Sequence, residues 1–558
     1  MADAPHSAVV AARPVPGGRR PAWEPSDRGI ARAAALTAAL TGLGALLGLV
    51  RDQLLARTFG AGTGTDAFLV AWTVPEFAAT LLIEDGMALV LVPAFAAALA
   101  RRTGGDEDPV RALVKATLPK TALGMGVAAG LLAFAAPWLV ALLAPGLPER
   151  QLAVDCTRLT ATCLLSFALA GYCSAALRAH GRFLAPAAVY VAYNSGIIAA
   201  VVLLGPGEWG VRAAAAGVAS GGVLMVLVQA PVLWRQLRTP VTVAPKREGT
   251  APRIVLAALA PVIVFAVSRQ SQVLVERFLA APLPAGAISH LNYAQKVAQL
   301  PMVLSLMLCT VSFPVVARAL AAGDKDTARR RAERDLLLAG VIVLVGAATV
   351  VAAAPQIVHV LFQRGAFDGA DTAATAAVMR VYALGLLGQT LVGALVRCYF
   401  SASRPLWYPA AAMLGGIAVT AAGGRAWAGP WGTPGIAAAN ALGITLTAAL
   451  LLLGVRRQSV PLDARRLALG LARLTAAAAV ATAAGWWCAA GPPPLAVALA
   501  LVSVTATFTA TACALRAPVV PSLISLIRSA VLRRPAHEPA ENSALGGDVP
   551  LDRRHHGR

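Results

Sequence analysis

The chain has 558 residues, 58% of them hydrophobic, and its mean hydropathy is +0.69. Only 13% are charged, against about 25% in a soluble protein. That balance excludes an ordinary soluble domain and makes the bilayer the solvent for most of the chain.

A spanning helix needs about 20 mostly apolar residues, and the apolar runs divide into about fourteen such spans. In chain order they lie near 30–50, 66–100, 112–144, 152–177, 184–204, 211–234 and 253–280, then 286–318, 335–354, 373–400, 407–424, 433–455, 467–489 and 494–516. The net charge of +21 is not a nucleic-acid footprint, because Lys and Arg cluster in alternate loops. Arg101, Arg102, Arg111 and Lys115 form one cluster; Arg235, Arg238, Lys246 and Arg247 another; Lys325, Arg329, Arg330, Arg331 and Arg334 a third. Intervening segments such as 281–289 carry no Lys or Arg. By the positive-inside rule both termini are cytoplasmic, and the even number of spans agrees. Residues 1–28 and the end of the chain beyond about 530 read as disordered cytoplasmic tails.

The second and eighth spans exceed 30 residues and contain Pro75 and Pro93, and Pro301 and Pro314. Proline inside a span bends the helix and frees carbonyls, either for packing or along a cavity. Pro93, Pro137 and Pro186 recur as Pro314, Pro355 and Pro409, at offsets of about 221, 218 and 223 residues. Such an offset covers six spans, so the chain reads as a parallel repeat. The expected organisation is a first lobe over 29–234, a linker over 235–252, a second lobe over 253–456, two further helices over 457–517, and a tail over 518–558.

Charges at membrane depth cost about 2.5–3.5 kcal/mol each and read as functional. Arg51-Asp52 ends the first span and reads either as a local ion pair at the interface or as part of a site. Glu84-Asp85 lies midway through the second, and Lys296 holds a similar place in the eighth. A cation facing carboxylates across two lobes is self-consistent, and Lys296 is a candidate contact for an anionic head group such as a diphosphate. Glu276-Arg277 reads as an intrahelical or interfacial pair. His290 and His359 read as solvated imidazoles near exoplasmic ends. The seven cysteines all fall in apolar spans without CxxC or Cys/His spacing, and read as free packing thiols. No Walker A, HExxH or GxSxG constellation appears, so neither an enzymatic centre nor a metal or cofactor is expected.

Leu47-Gly48-Leu49-Val50-Arg51-Asp52, Ala56-Arg57-Thr58-Phe59-Gly60-Ala61-Gly62 and Thr65-Asp66-Ala67-Phe68 resemble the first-helix signature of the MurJ/MviN family of lipid II flippases. Val275-Glu276-Arg277 and Gly286-Ala287-Ile288-Ser289-His290-Leu291-Asn292-Tyr293-Ala294 resemble its stretch before the eighth helix. The resemblance covers about residues 30–515. It implies an all-α fold of fourteen helices in two lobes plus two C-terminal helices that groove a lipid tail. It implies a flippase for a polyprenyl-diphosphate-linked glycan, most simply lipid II for peptidoglycan synthesis, working by alternating access in the bacterial plasma membrane. The partners it implies are the lipid-linked glycan, the phospholipid membrane and cell-wall synthesis proteins. The alternative on the same fold is an exporter of a small cationic molecule. The candidate substrate-binding residues are Arg51, Lys296, Glu84, Asp52, Asp66 and Asn292. Lys296 stands where the family has an arginine after Tyr-Ala-Asp, with Gln295 in place of that Asp. Ala45 and Ala79 replace two further arginines, so the cavity is expected to carry less positive charge than is usual in the family.

Overall fold

The computed structural model describes residues 27–102, 108–238, 256–321, 324–400, 406–458 and 462–517, and these form helices joined by short turns, with no strand among them. The expected tail 518–558 and most of 1–28 and of the linker 235–252 lie outside the described residues.

The first half holds α1 (Asp27–Phe59), α2 (Thr63–Ala79), α3 (Gly86–Ala100), α4 (Pro109–Leu143), α5 (Arg150–Ala161), α6 (Cys163–Ala179), α7 (Leu184–Ala187), α8 (Val189–Leu204) and α9 (Arg212–Arg238). The second holds α10 (Leu256–Ala280), α11 (Ala287–Ala298), α12 (Leu300–Ala321), α13 (Lys325–Phe362), α14 (Gly369–Leu384), α15 (Leu386–Phe400) and α16 (Tyr408–Gln458). Two helices follow, α17 (Ala464–Cys488) and α18 (Pro493–Ala514), packed on α13 and on each other. In the first half α1 packs on α8, α2 on α5, α3 on α6 and α4 on α5; in the second α10 packs on α16, α11 on α14, α12 on α15 and α13 on α14. The pairing order thus recurs, and Pro93 and Pro314 fall in corresponding helices, α3 and α12.

Prolines bend some of the long spans and are absorbed within helices in others: Pro75, Pro93 and Pro314 lie inside α2, α3 and α12. Pro75 lacks the N–H that would bond the Ala71 carbonyl four residues back, and that carbonyl instead accepts from Thr160 Oγ1 at 3.2 Å. A π-helical turn, Thr80–Asp85, then joins α2 to α3. The eighth span breaks at Gln299, just before Pro301. In α13, Pro355 frees the Val351 carbonyl, which accepts from Arg380 Nε at 3.2 Å. The eleventh and twelfth runs form one continuous element, α16, but it turns at Gly432 (φ +60°) between Pro430 and Pro434.

Among the described residues nine helices are long and apolar enough to cross a membrane, or ten if the bent pair α14 and α15 is one span. The outer face of α4 shows the membrane pattern: Leu123, Val127, Leu131, Phe134, Trp138 and Leu142 are all exposed at helical spacing. An apolar stripe turned outward is stable only in lipid. Scarce carboxylates start the helices: Asp108, Asp324, Asp368 and Asp463 accept backbone N–H bonds at the N-termini of α4, α13, α14 and α17. The cysteines are free as expected; Cys156, Cys163, Cys173, Cys309 and Cys398 are buried, whereas Cys488 and Cys513 on α17 and α18 are exposed.

Candidate functional site

A cavity of about 1210 Å³ lies between the halves, walled by α1, α2 and α8 on one side and α10, α11, α12 and α15 on the other. Its described lining includes five cations, Arg51, Arg269, Arg277, Lys296 and Arg397, and two carboxylates, Asp52 and Glu76. The apolar sequence around each cation forces this placement, because a helix in lipid has only its inward face on which to carry charge.

The densest cluster is at the end of α1. Asp52 Oδ1 accepts from Arg51 Nε at 2.9 Å and from Nη2 at 2.8 Å. Arg51 Nη1 donates to Asn194 Oδ1 at 2.8 Å, and Asn194 is itself fixed by donating to the Gly44 carbonyl at 2.9 Å. From the other half, Lys296 Nζ reaches Asp52 Oδ2 at 3.4 Å. The Arg51 guanidinium and the Lys296 ammonium both lie over the Trp72 ring, 4.5 and 4.4 Å from its centroid. One carboxylate therefore holds cations from both halves and offsets part of their mutual repulsion. Arg51-Asp52 is an ion pair, as one reading had it, and it is also part of the cavity wall.

Arg51, Asp52, Lys296 and Asn292 are brought together on this wall. Asn292 acts through a neighbour: its Oδ1 accepts from Arg277 Nη2 at 3.1 Å, while Arg277 Nη1 donates to the Ile288 carbonyl at 3.2 Å. Glu276 and Arg277 are not the pair expected. Consecutive residues point about 100° apart around a helix, and Glu276 turns into the second half. There it accepts from Tyr382 Oη at 2.5 Å and from the Asn440 amide. Glu84 belongs to the π-helical turn, but its side chain lies outside the described residues, as does that of Asp85.

Asp66 is placed elsewhere. It caps a different structure, accepting from Gly286 N at 2.8 Å, Ser289 N at 2.8 Å and Ser289 Oγ at 2.6 Å at the start of α11. A carboxylate against the free N–H groups of a helix N-terminus is favourable on charge and hydrogen bonding together. Around it the halves meet main chain to main chain. Ala366 N donates to the Arg57 carbonyl at 2.9 Å, and Ala61 N donates to Asp371 Oδ2 at 3.4 Å. Gly286 (φ +88°) and Gly365 (φ +64°) sit against the Ala61 and Arg57 carbonyls with no room for a Cβ. This latch joins the two halves beside the cavity helices α2 and α11. His290, expected to be solvated, is buried in it, with Nδ1 at 3.0 Å from Thr375 Oγ1 and Nε2 at 3.8 Å from Asp371. His359 is exposed, as expected.

Ala45 and Ala79 do line the cavity, so the positions lacking arginine face the site. The described wall also carries Arg269, Arg277 and Arg397 on the other half. Arg269 was recoverable from sequence: it interrupts the run 253–280 just as Lys296 interrupts 286–318. Glu76 carried the same signal, interrupting the run 66–100, and was missed; Trp72 carried none.

The family model described as "Lipid II flippase MurJ" matches residues 55–504. A curated relative, the lipid II flippase MurJ of Burkholderia cenocepacia, is 28% identical over 468 residues, covering 82% of this chain and 90% of the relative. Among solved structures, a lipid II flippase MurJ in an inward closed conformation aligns with TM-score 0.68 and 17% identity, over 86% of this chain and 99% of that one. An inward-facing multidrug resistance MATE family transporter of the MOP superfamily aligns with TM-score 0.60 and 15% identity, over 76% and 98%. These two likenesses are of fold. The family match extends over most of the sequence, from the end of α1 through the latch to α18, and on it the chain belongs to the lipid II flippase MurJ family.

Proposed function

We propose that this multi-pass membrane protein carries lipid II, a polyprenyl-diphosphate-linked glycan, across the plasma membrane by alternating access, without a chemical step. The observation that carries the reading is the convergence of Arg51 and Lys296, from opposite halves, on one carboxylate inside the cavity. Both cations bond Asp52 Oδ1, at 2.8 and 3.5 Å, so their nitrogens are at most about 6.3 Å apart, the two distances laid end to end. Two cations so close suit the adjoining phosphoryl groups of a diphosphate, which replaces Asp52 as their shared partner. Five cations against two carboxylates in the described wall speak against a cationic cargo.

In this reading the chain crosses fourteen times, with lobes over 29–234 and 253–456 and both termini in the cytoplasm. The Asp66 latch then closes the exoplasmic side, and the lipid-linked head group enters from the cytoplasm. The test is complementation of a strain depleted of its own lipid II flippase. Growth and lipid II translocation are expected with the wild-type chain and not with Arg51→Ala. A chain that reaches the membrane in quantity yet never restores translocation would overturn the reading.

A further inference from the structure

The two clamp cations share a ring as well as a carboxylate. Trp72, on α2, is 4% exposed, and it is held on two sides. Its Nε1–H donates to Tyr193 Oη at 3.0 Å, and its ring stacks with Phe68 at 5.4 Å between centroids and 28° between planes. Arg51 and Lys296 both sit within 4.5 Å of the ring centroid. Asp52 carries one negative charge and the pair carries two positive ones. The indole face meets the remainder by its quadrupole, with greater effect where water is excluded.

The two partners differ in what happens when an anion arrives. A carboxylate competes with phosphate for the same N–H groups and gives them up. An aromatic face attracts the cations from a direction the anion does not use, so it holds them in place while the carboxylate is exchanged.

We propose that Trp72 is a positioning residue for substrate binding: a rigid cation–π platform that keeps Arg51 and Lys296 at diphosphate spacing, across the two halves, while the ligand displaces Asp52. The proposal rests on the reading of Arg51 and Lys296 as the diphosphate clamp.

The test replaces Trp72 alone, by nonsense suppression in the full chain, with tryptophans carrying one, two and four ring fluorines. Fluorine withdraws the π density with little change of shape, and it makes the indole N–H a stronger donor to Tyr193, so only the cation–π contact is weakened. The protein is placed in lipid nanodiscs and its affinity for undecaprenyl diphosphate is measured. A stepwise loss with fluorine number, about tenfold across the series, or ~1.4 kcal/mol, is expected, with Trp72→Phe binding better than Trp72→Leu. An affinity that stays flat across the series, while Arg51→Ala and Lys296→Ala lose binding, sinks the platform and leaves the clamp standing. If Arg51→Ala and Lys296→Ala bind undecaprenyl diphosphate as well as wild type, the clamp falls and the platform with it. The fluorinated series does not depend on whether Trp72→Leu folds.

Discussion

Arg51 and Lys296 both reach Asp52, and Arg51 also donates to Asn194. Removing either cation leaves the diphosphate half-held. A hydrogen bond to a charged group contributes about 1.5–3 kcal/mol, so Arg51→Ala and Lys296→Ala are each expected to weaken undecaprenyl-diphosphate binding about tenfold to a hundredfold and to abolish translocation. Both variants should remain in the membrane, which immunoblotting of the membrane fraction checks. Lys296→Arg is expected to be tolerated or improved, because a guanidinium adds a bidentate fork to the same charge. At this scale the sequence was only partly legible. A charge within an apolar run announces itself, so Arg51, Asp52 and Lys296 were found, and Arg269 obeyed the same rule. Trp72 did not announce itself, because an aromatic residue in a membrane helix is unremarkable until its neighbours are known. Asn292 was found as a residue but not in its role, since its partner Arg277 lies on another helix.

Among elements, the latch and the helix caps make separate predictions. Asp66 ties α2 to the first turn of α11 by three short hydrogen bonds. Asp66→Asn keeps the size and loses the charge, at about 1.5–3 kcal/mol for bonds to an ionised group. The population with this end open is expected to rise about tenfold to a hundredfold. A cysteine at the cavity position Leu49, in a cysteine-free background, should then react faster with a membrane-impermeant maleimide added outside; an unchanged rate would separate Asp66 from the latch. At the other end of the lobe, Asp108 accepts from Val110 N at 3.0 Å at the start of α4 and pairs with Arg102. The hydrogen bond from Arg102 holds its carboxyl below the ordinary carboxylate range. A depressed carboxyl stabilises the fold above its unfolded pKa of about 4 and loses that contribution as pH falls through the lower, folded value. Asp108→Ala is expected to cost about 1 kcal/mol through the lost cap. Asp108→Asn, which still caps, should melt below wild type near neutral pH and match it in acid. Helix existence and the breaks at proline were readable from the sequence. The Asp66 bond was not, because it joins residues 220 positions apart and depends on a left-handed glycine in a loop.

For the whole molecule, the alternation of basic loops predicts an orientation that labelling checks directly. A cysteine at the exposed Ala285 should be labelled from outside intact cells, and one at Ala244 only after the membrane is opened; the reverse pattern would invert the topology. The two-lobe organisation was legible through three prolines at one offset, and the recurrence of helix pairings accords with it. The sequence reading of the cavity counted arginines on α1 and α2 alone, whereas the described lining also carries Arg269, Arg277 and Arg397 on the other half. A site shared between two lobes has to be summed in space, and a helix-by-helix reading weighs only one wall at a time.

The latch is built largely of main chain: carbonyls of residues 57 and 61 against two left-handed glycines, and a helix terminus against one carboxylate. None of these contacts draws on the side chains that face the cavity. In the proposed reading, cargo preference and gating are therefore written in separate sets of residues. A lineage on this scaffold is free to change what it carries while keeping how it moves.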